Sequence, residues 1–268
     1  MVTYALAFLF YLMYVVGKAR KAGTSAFALM VAGCTIHFIG LLVRWWETHA
    51  TGYGYIPLSN LYESLIFFSW SIALMYLIID LKFGWRVGGI WAAPLCAIII
   101  AVTSLVPGVQ PDIRPLIPAL QSNWLGFHVI TCFLGYAAFA LAFGASIFYL
   151  VQRRRELLHR SPVSWLPSSG TLDDINYRAV IIGFPLLTIG IITGAAWAHH
   201  AWGSYWSWDP KETWSLITWF VYASFLHARY ARGWKGNKTA VLSIVGFAAV
   251  IFTYFGVSYL LSGLHSYM

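Results

Sequence analysis

The chain has 268 residues, of which 60% are hydrophobic and 10% are charged, and its formal net charge is +8. Water-soluble domains carry about 25% charged residues, so this composition excludes polar soluble enzymes and secreted disulfide scaffolds and predicts an integral membrane protein. A membrane-spanning helix takes about 20 apolar residues, and the length therefore allows about eight or nine spans.

Hydropathy along the chain predicts eight membrane-spanning helices. In chain order the segments are Val2 to Gly17, Ala26 to Val43, Leu61 to Ile79, Val87 to Val106, Trp124 to Val151, Tyr177 to Trp197, Trp214 to Tyr230, and Ala240 to Leu261. We expect them to form one polytopic, all-α membrane domain over residues 1–268. Positive charges at Lys18, Arg20 and Lys21 follow the first segment, which favours a retained helix over a cleaved signal peptide.

Basic residues are distributed unevenly between the predicted loops. Fourteen of the 17 Lys and Arg residues fall on one side: Lys18, Arg20, Lys21, Lys82, Arg86, Arg153, Arg154, Arg155, Arg160, Arg178, Arg229, Arg232, Lys235 and Lys238. Arg44, Arg114 and Lys211 fall on the other side. Because positive charge accumulates on the cytoplasmic side of membrane proteins, we expect both termini on the outer, periplasmic or lumenal, side. The charge thus indicates contact with anionic lipids of the bilayer rather than with nucleic acid.

The predicted outer loop between the sixth and seventh segments is rich in tryptophan. Six tryptophans lie within 23 positions: Trp197, Trp202, Trp206, Trp208, Trp214 and Trp219. Aromatic belts at membrane surfaces need only scattered anchors, whereas broad apolar faces at this density suit a large planar ligand. Membrane anchoring combined with core packing is the alternative explanation.

The same loop contains the pattern of a helix start. Asp209, Pro210 and Glu212 match the N-cap, N1 and N3 positions of a capping box. A helix that begins there also presents free amide groups and the positive end of its dipole, which suit a ligand carboxylate. The structural and the binding role are compatible.

Two of the histidines on the outer side of the predicted topology are candidate iron ligands. Histidine is costly inside a bilayer, and its neutral imidazole is a common ligand of haem iron. His128 lies near the outer end of the fifth segment, and His265 follows the eighth segment. Together they could supply two axial ligands of one iron. A hydrogen-bonded structural role is the alternative for each of them.

His227 is predicted at a different depth. It lies 13 residues after Trp214 on the same segment, which corresponds to about 20 Å along a helix. An intramembrane histidine is a functional candidate by default, and this position suits a ligand that moves toward the outer face. Packing or loop roles are the simpler interpretation for the remaining histidines: His37, His49, His159, His199 and His200.

Two further patterns have mainly structural explanations. Asn60 and Glu63 can cap the third segment, although a carboxylate at this position could also orient a metal-bound histidine. The cysteines form no CxxC pair and fall within predicted spans, so we expect free, apolar thiols; they are Cys34, Cys96 and Cys132.

Residues 202–214 read WGSYWSWDPKETW, which resembles the tryptophan-rich WWD signature of haem-handling membrane proteins. The DPKETW continuation is similar to the CcsA (ResC) branch of cytochrome c biogenesis. The resemblance covers essentially the whole chain and includes NLYES at 60–64, LHAR at 226–229 and LSGLHS at 261–266. His199 and His200 depart from the pattern, where Asn or another small residue is usual.

The resemblance implies a subunit of a two-part cytochrome c synthase whose other subunit is a CcsB (ResB, Ccs1) type membrane protein. It implies that His128 and His265 are outer axial ligands of haem b, and that His227 pairs within the membrane with a ligand of the partner. The loop residues implied to hold haem for a CxxCH motif of apocytochrome c are Trp202, Trp206, Trp208, Asp209 and Trp214. The expected membrane is a bacterial plasma membrane, with the plastid thylakoid as the alternative.

Three functions remain open at the level of sequence. The chain is a synthase subunit, a haem exporter or delivery module without attachment chemistry, or a membrane scaffold that regulates tetrapyrrole metabolism. Thioether formation adds two cysteine sulfurs to two vinyl groups, which requires haem to be positioned. No nucleophile or base from this chain is needed, so we predict no catalytic side chain.

Overall fold

Helices make up all of the regular structure in residues 1–106, 109, 111–261 and 263, which the computed structural model describes. Eight of them have 15 residues or more: α1 (Val2–Val16), α2 (Arg20–Ala50), α3 (Leu61–Phe83), α4 (Gly89–Leu105), α5 (Asn123–Leu157), α6 (Ser169–Trp202), α7 (Pro210–Arg232) and α8 (Asn237–Ile251). Helix α8 continues through a π-helical turn, Phe252–Gly256, into a last α-helical turn, Val257–Leu260.

Each of the eight predicted segments coincides with one of these helices. Six of the helices are long and apolar enough to cross a membrane: α2, α3, α4 with the 3₁₀ turn before it, α5, α6, and α8 with its last turns. Helix α1 has only 15 residues, and α7 is not among the six. The all-helical membrane fold is therefore confirmed, whereas eight crossings and the outer position of both termini stay predictions.

Local sequence explains where several helices begin and end. The side chains of Ser122 and Ser168 accept hydrogen bonds from the first turns of α5 and α6, satisfying amide groups that lack helical partners. Helices α6 and α7 end at Gly203 and Gly233, which have φ angles of 79° and 62°. That left-handed conformation favours glycine and stops a helix.

The centre of the bundle is formed by α3 and α5. Helix α5 presents a run of fully buried small residues, including Ala137, Ala138 and Ala140, and small residues let membrane helices approach closely. The rings of Phe139 on α5 and Tyr222 on α7 stack with centroids 3.6 Å apart. This contact fixes the face of α7 that points into the bundle, and so decides which of its residues point away.

Candidate functional site

A cavity lies at the end of the bundle where the predicted outer loops meet. It is bordered by the beginnings of α3, α5 and α7, the end of α6, the tryptophan-rich loop and the π-helical turn after α8. Its empty space is about 1210 Å³, including the part that is open to solvent. The volume that can be compared with known ligand pockets is about 200 Å³, and the lining is mostly apolar, as in pockets that bind organic molecules.

His128 lines this cavity from the second turn of α5. Its Nδ1 atom lies 2.7 Å from the backbone carbonyl oxygen of Gly190 on α6. A carbonyl oxygen only accepts, so Nδ1 carries the hydrogen in the neutral ring and Nε2 carries the lone pair. Metal-binding histidines commonly donate their other ring N–H to a carbonyl in this way. The geometry therefore prepares Nε2 to coordinate a metal.

Aromatic side chains form the walls around His128. The indole of Trp197 is nearly parallel to the imidazole, with centroids 5.8 Å apart and 21° between the planes. Trp206 from the loop and Tyr254 from the π-helical turn also line the cavity. The hydroxyl groups of Tyr254 and Ser64 lie 2.5 Å apart and join the turn to α3. A π-helical turn inside a helix is often found at functional sites.

The predicted capping box at the start of α7 is confirmed. The Asp209 carboxylate accepts hydrogen bonds from the backbone of the first helical turn, including the amide of Lys211 at 2.9 Å. Glu212 accepts in return from the amide of Asp209 at 3.2 Å and from that of Ser207 at 2.8 Å. These bonds hold the end of the tryptophan-rich loop against the helix.

Lys211 brings a basic group to the cavity wall. Burial lowers the pKa of its ammonium group, because desolvation penalises the charged form, while the Asp209 carboxylate acts in the opposite direction. A cation in a partly apolar wall suits an anionic group on the ligand.

The other predicted site residues on the tryptophan-rich loop lie around the cavity without lining it. Trp202 packs against Trp197 with ring centroids 5.0 Å apart. Trp208 is 69% exposed and meets Trp206 edge to face. Trp214 packs against Phe252 of the π-helical turn at 4.2 Å. These residues support the loop and the turn that border the cavity.

The two remaining predicted iron ligands have different positions. His227 lies on the exposed face of α7, together with Ile217 and Phe220, so it points away from the bundle. His265 lies outside the described residues. Gly263, two positions earlier, lies against the carboxylate of Asp209, so the chain enters the His265 segment beside the start of α7.

Asn60 caps α3 as predicted, because its side chain accepts from the amide of Glu63 at 2.9 Å. The return bond differs from the expected capping box: the Glu63 carboxylate accepts from the amide and hydroxyl of Ser59, at 2.9 and 2.8 Å. Its other oxygen is 3.2 Å from the guanidinium group of Arg44. The carboxylate is thus committed to a buried ion pair at the start of α3.

Three of the other histidines make local contacts, and His49 lies near the end of α2 rather than in a loop as predicted. The Nδ1 atom of His37 lies 3.2 Å from the Tyr4 hydroxyl, and His49 contacts the backbone carbonyl of Trp45 at 2.9 Å. His199 stacks on Tyr205 near the end of α6. The three cysteines are free and buried, as predicted: Cys34, Cys96 and Cys132.

Two glycines of α6 belong to the site although sequence reasoning did not single them out. The carbonyl group of Gly190 accepts from His128, and Gly194 faces the His128 ring. Residues 190–194 read GIITG. This is the GxxxG spacing that lets two membrane helices approach closely, so a search for helix-packing motifs would have found it.

Comparison with known proteins decides the family. Residues 58–265 match the family of cytochrome c assembly proteins. The chain belongs to this family. Similar proteins named cytochrome c biogenesis protein CcsA occur in Microcystis aeruginosa, at 41% identity over 84% of this chain and 81% of the relative. Another, in Chlamydomonas reinhardtii, is 44% identical over 85% of this chain and 64% of the relative. The predicted CcsA branch is confirmed.

A solved structure shares the fold. The chain is similar to the cytochrome c haem lyase CcmF, with a TM-score of 0.71 and 19% sequence identity over 95% of this chain. It spans 44% of the length of that protein. Together with the six apolar helices, membership of the family makes the chain an integral membrane protein of cytochrome c biogenesis. The matched residues include the whole candidate cavity.

Proposed function

We propose that the chain is the subunit of a cytochrome c synthase that brings haem to the outer membrane face and holds it there for covalent attachment. The observation that carries this proposal is the hydrogen bond from His128 Nδ1 to the Gly190 carbonyl, at the wall of a cavity lined by aromatic side chains. It orients the ring and fixes the tautomer that binds a metal through Nε2. Haem b is the substrate held there.

His265 is the second axial ligand in this proposal. The position of Gly263 against Asp209 supports it, since both lie at the end of the bundle that contains His128. Trp206 and the neighbouring tryptophans provide apolar surface for the macrocycle, with Trp202, Trp208 and Trp214 supporting the loop. Asp209 contributes by capping the helix that carries Lys211, whose ammonium group binds a propionate.

His227 serves an earlier step in the transfer of haem. An exposed imidazole on a helix at membrane depth is unfavourable in lipid, whereas an interface with a second membrane subunit can supply a partner for it. We assign that subunit to the CcsB type, with a ligand that pairs with His227 on haem. The bacterial plasma membrane, with its periplasmic face as the active side, is the proposed location.

The attachment reaction follows from positioning. Each cysteine S–H of the CxxCH motif adds across one haem vinyl group, with sulfur bonding to one carbon and hydrogen to the other. The apocytochrome histidine then replaces one axial ligand of the iron. Fixed geometry converts these steps into effectively intramolecular ones. The role of this chain is to bind and orient haem, and no side chain of it enters the bond-forming steps.

The test uses the chain coexpressed with a CcsB-type partner and a CxxCH acceptor. Absorption spectra of the purified complex and thioether haem on the acceptor are compared for the wild type, His128→Ala, His265→Ala and His227→Ala. We expect the reduced-haem bands and the product to fall in the His128 and His265 variants. Unchanged bands and product in both variants would remove the ligand assignment. Bound haem without thioether product in the wild-type complex would favour a delivery module, and a complex without haem would favour a scaffold.

A further inference from the structure

The ring of His128 occupies a space that a missing side chain on α6 leaves open. A Cβ atom built on Gly194 would lie 2.6 Å from Nδ1, 2.8 Å from Cε1 and 3.4 Å from Cγ of His128. Contacts below 3.0 Å essentially never occur for a real Cβ. All three nearest atoms belong to the same imidazole. A methyl group at position 194 therefore conflicts first with this ring.

The ring has little freedom to move aside while it keeps its hydrogen bond. Nδ1 is held 2.7 Å from the Gly190 carbonyl, one helical turn before Gly194. The indole of Trp197 lies nearly parallel to the imidazole, with centroids 5.8 Å apart. A shift away from position 194 lengthens the Gly190 bond, and rotation about the side-chain torsions changes the direction of Nε2. Either movement displaces Nε2, the nitrogen proposed to bind iron.

We propose that Gly194 is a positioning residue for His128, and this inference rests on the proposed function of that histidine as an iron ligand. The absence of a side chain at 194 lets the imidazole sit beside α6, where the Gly190 carbonyl sets its tautomer and direction. Gly190 is less suitable as a probe, because a Cβ there would meet Cys132 Sγ at 2.5 Å and its backbone nitrogen at 3.1 Å. Substitution at 190 would therefore move α5 itself.

The experiment is a double-mutant cycle in the full complex with the CcsB-type partner. The proteins compared are the wild type, Gly194→Ala, His128→Ala and the double variant, with Gly40→Ala as control. Gly40 is helical, and a Cβ built there meets no atom within 4 Å. For each protein we measure haem per polypeptide, the reduced-haem absorption bands, thioether product and the amount of purified protein.

We expect Gly194→Ala to lower haem per polypeptide by about 10- to 100-fold, the range found when a group that orients a metal ligand is removed. The residual haem should show altered reduced bands, which a packing defect alone does not produce. In the His128→Ala background the same substitution should change nothing, because the ring it meets is gone. Gly40→Ala should match the wild type.

Three outcomes would overturn the inference. If Gly194→Ala has the haem content and bands of Gly40→Ala, the ring does not depend on the space at 194. If Gly194→Ala lowers haem or protein yield by the same factor with and without His128, its role is helix packing. If His128→Ala itself retains haem and product, the ligand assignment fails as well, which separates failure of the proposed function from failure of the positioning role alone.

Discussion

The imidazole of His128 and the indole of Trp197 are nearly parallel, with ring centroids 5.8 Å apart and 21° between the planes, although they are on different helices. The indole is itself fixed, because its Nε1–H donates to the carbonyl of Ala119 at 2.8 Å. The loop before α5 thus holds Trp197, and Trp197 limits the movement of His128. An aromatic ring with a fixed orientation therefore lies beside the proposed iron ligand.

Replacing Trp197 should loosen His128. Aromatic pairs contribute about 0.5–1.5 kcal/mol beyond their buried area, so Trp197→Leu should lower haem retention by a factor of about two to ten. Trp197→Phe should have a smaller effect, since it keeps an aromatic face and loses only the hydrogen bond to Ala119. The effects of both substitutions are measured as haem per polypeptide in the purified complex. Trp46, which is 70% exposed on α2, provides the control Trp46→Leu, and equal losses in Trp46→Leu and Trp197→Leu would contradict the bracing role.

The two central tryptophans of the loop should contribute unequally. Trp206 lines the cavity, whereas Trp208 is 69% exposed. We expect Trp206→Leu to reduce thioether product more than Trp208→Leu, because only the first removes apolar surface from the cavity wall. The amount of thioether product per complex at limiting haem concentration distinguishes the two variants. A larger loss in Trp208→Leu would show that haem binds outside this cavity, against the exposed side of the loop.

The helix-capping role of Asp209 at the start of α7 should be separable from the effect of its negative charge. Asp209→Ala removes the acceptor for the first-turn amides and should destabilise the protein by about 1 kcal/mol. Asp209→Asn keeps a capping oxygen, so its thermal unfolding in detergent should stay near that of the wild type. If Asn lowers haem binding as strongly as Ala while preserving stability, the carboxylate acts on the ligand directly and capping does not explain its role.

Lys211 should make haem retention depend on pH. Its ammonium form attracts a propionate, and burial lowers its pKa below the ordinary value of 10.5. As pH rises through this lowered pKa, the ammonium group loses its charge. Haem retention by the wild type should therefore decline at a lower pH than it would if Lys211 had the pKa of an exposed lysine. Lys211→Gln should bind haem more weakly at neutral pH, by about tenfold for a charge-assisted hydrogen bond, and should lack this decline.

The dimethyl ester of haem supplies the control for Lys211, since it has no propionate charge. Wild type and Lys211→Gln should retain the ester equally at all pH values. The same pH profile in the two proteins with haem itself would exclude Lys211 as the propionate partner. A difference that persists with the ester would assign the effect of Lys211 to packing of the cavity wall.

A buried ion pair at the opposite end of the bundle should dominate stability there. Asp173 on α6 accepts from Arg229 on α7 and from the amide of Gly236 and the hydroxyl of Thr239 at the start of α8. Removing one partner of a buried pair costs about 3–5 kcal/mol, so Asp173→Ala should lower the unfolding temperature strongly.

The neighbouring residue gives a matched control for this pair. Asp174 pairs with Arg178 on the surface, with side chains 47% and 45% exposed, and exposed pairs contribute about 1 kcal/mol or less. Asp174→Ala should therefore leave the unfolding temperature nearly unchanged. Similar shifts for the two alanine variants would show that the Asp173 pair does not join the three helices.

The sequence determined the features that depend on nearby residues. Segment positions followed from hydropathy, because each helix satisfies its own backbone hydrogen bonds and buries its apolar side chains. The start of α7 was predicted correctly at Asp209, since a capping box involves only residues three positions apart. The charges placed the loops with His128 and the tryptophans on one side, and the structure brings these ends together around one cavity.

Only the tertiary structure decided how the site is built. The Gly190 carbonyl that orients His128 lies 62 residues away, and the Arg44 partner of Glu63 lies 19 residues away on another helix, so neither contact leaves a local pattern. The direction of His227 depends on the stacking of Phe139 and Tyr222 between α5 and α7. Helix packing sets these directions, because side chains of one helix must fit the surface of its neighbour, and that surface belongs to a distant part of the chain.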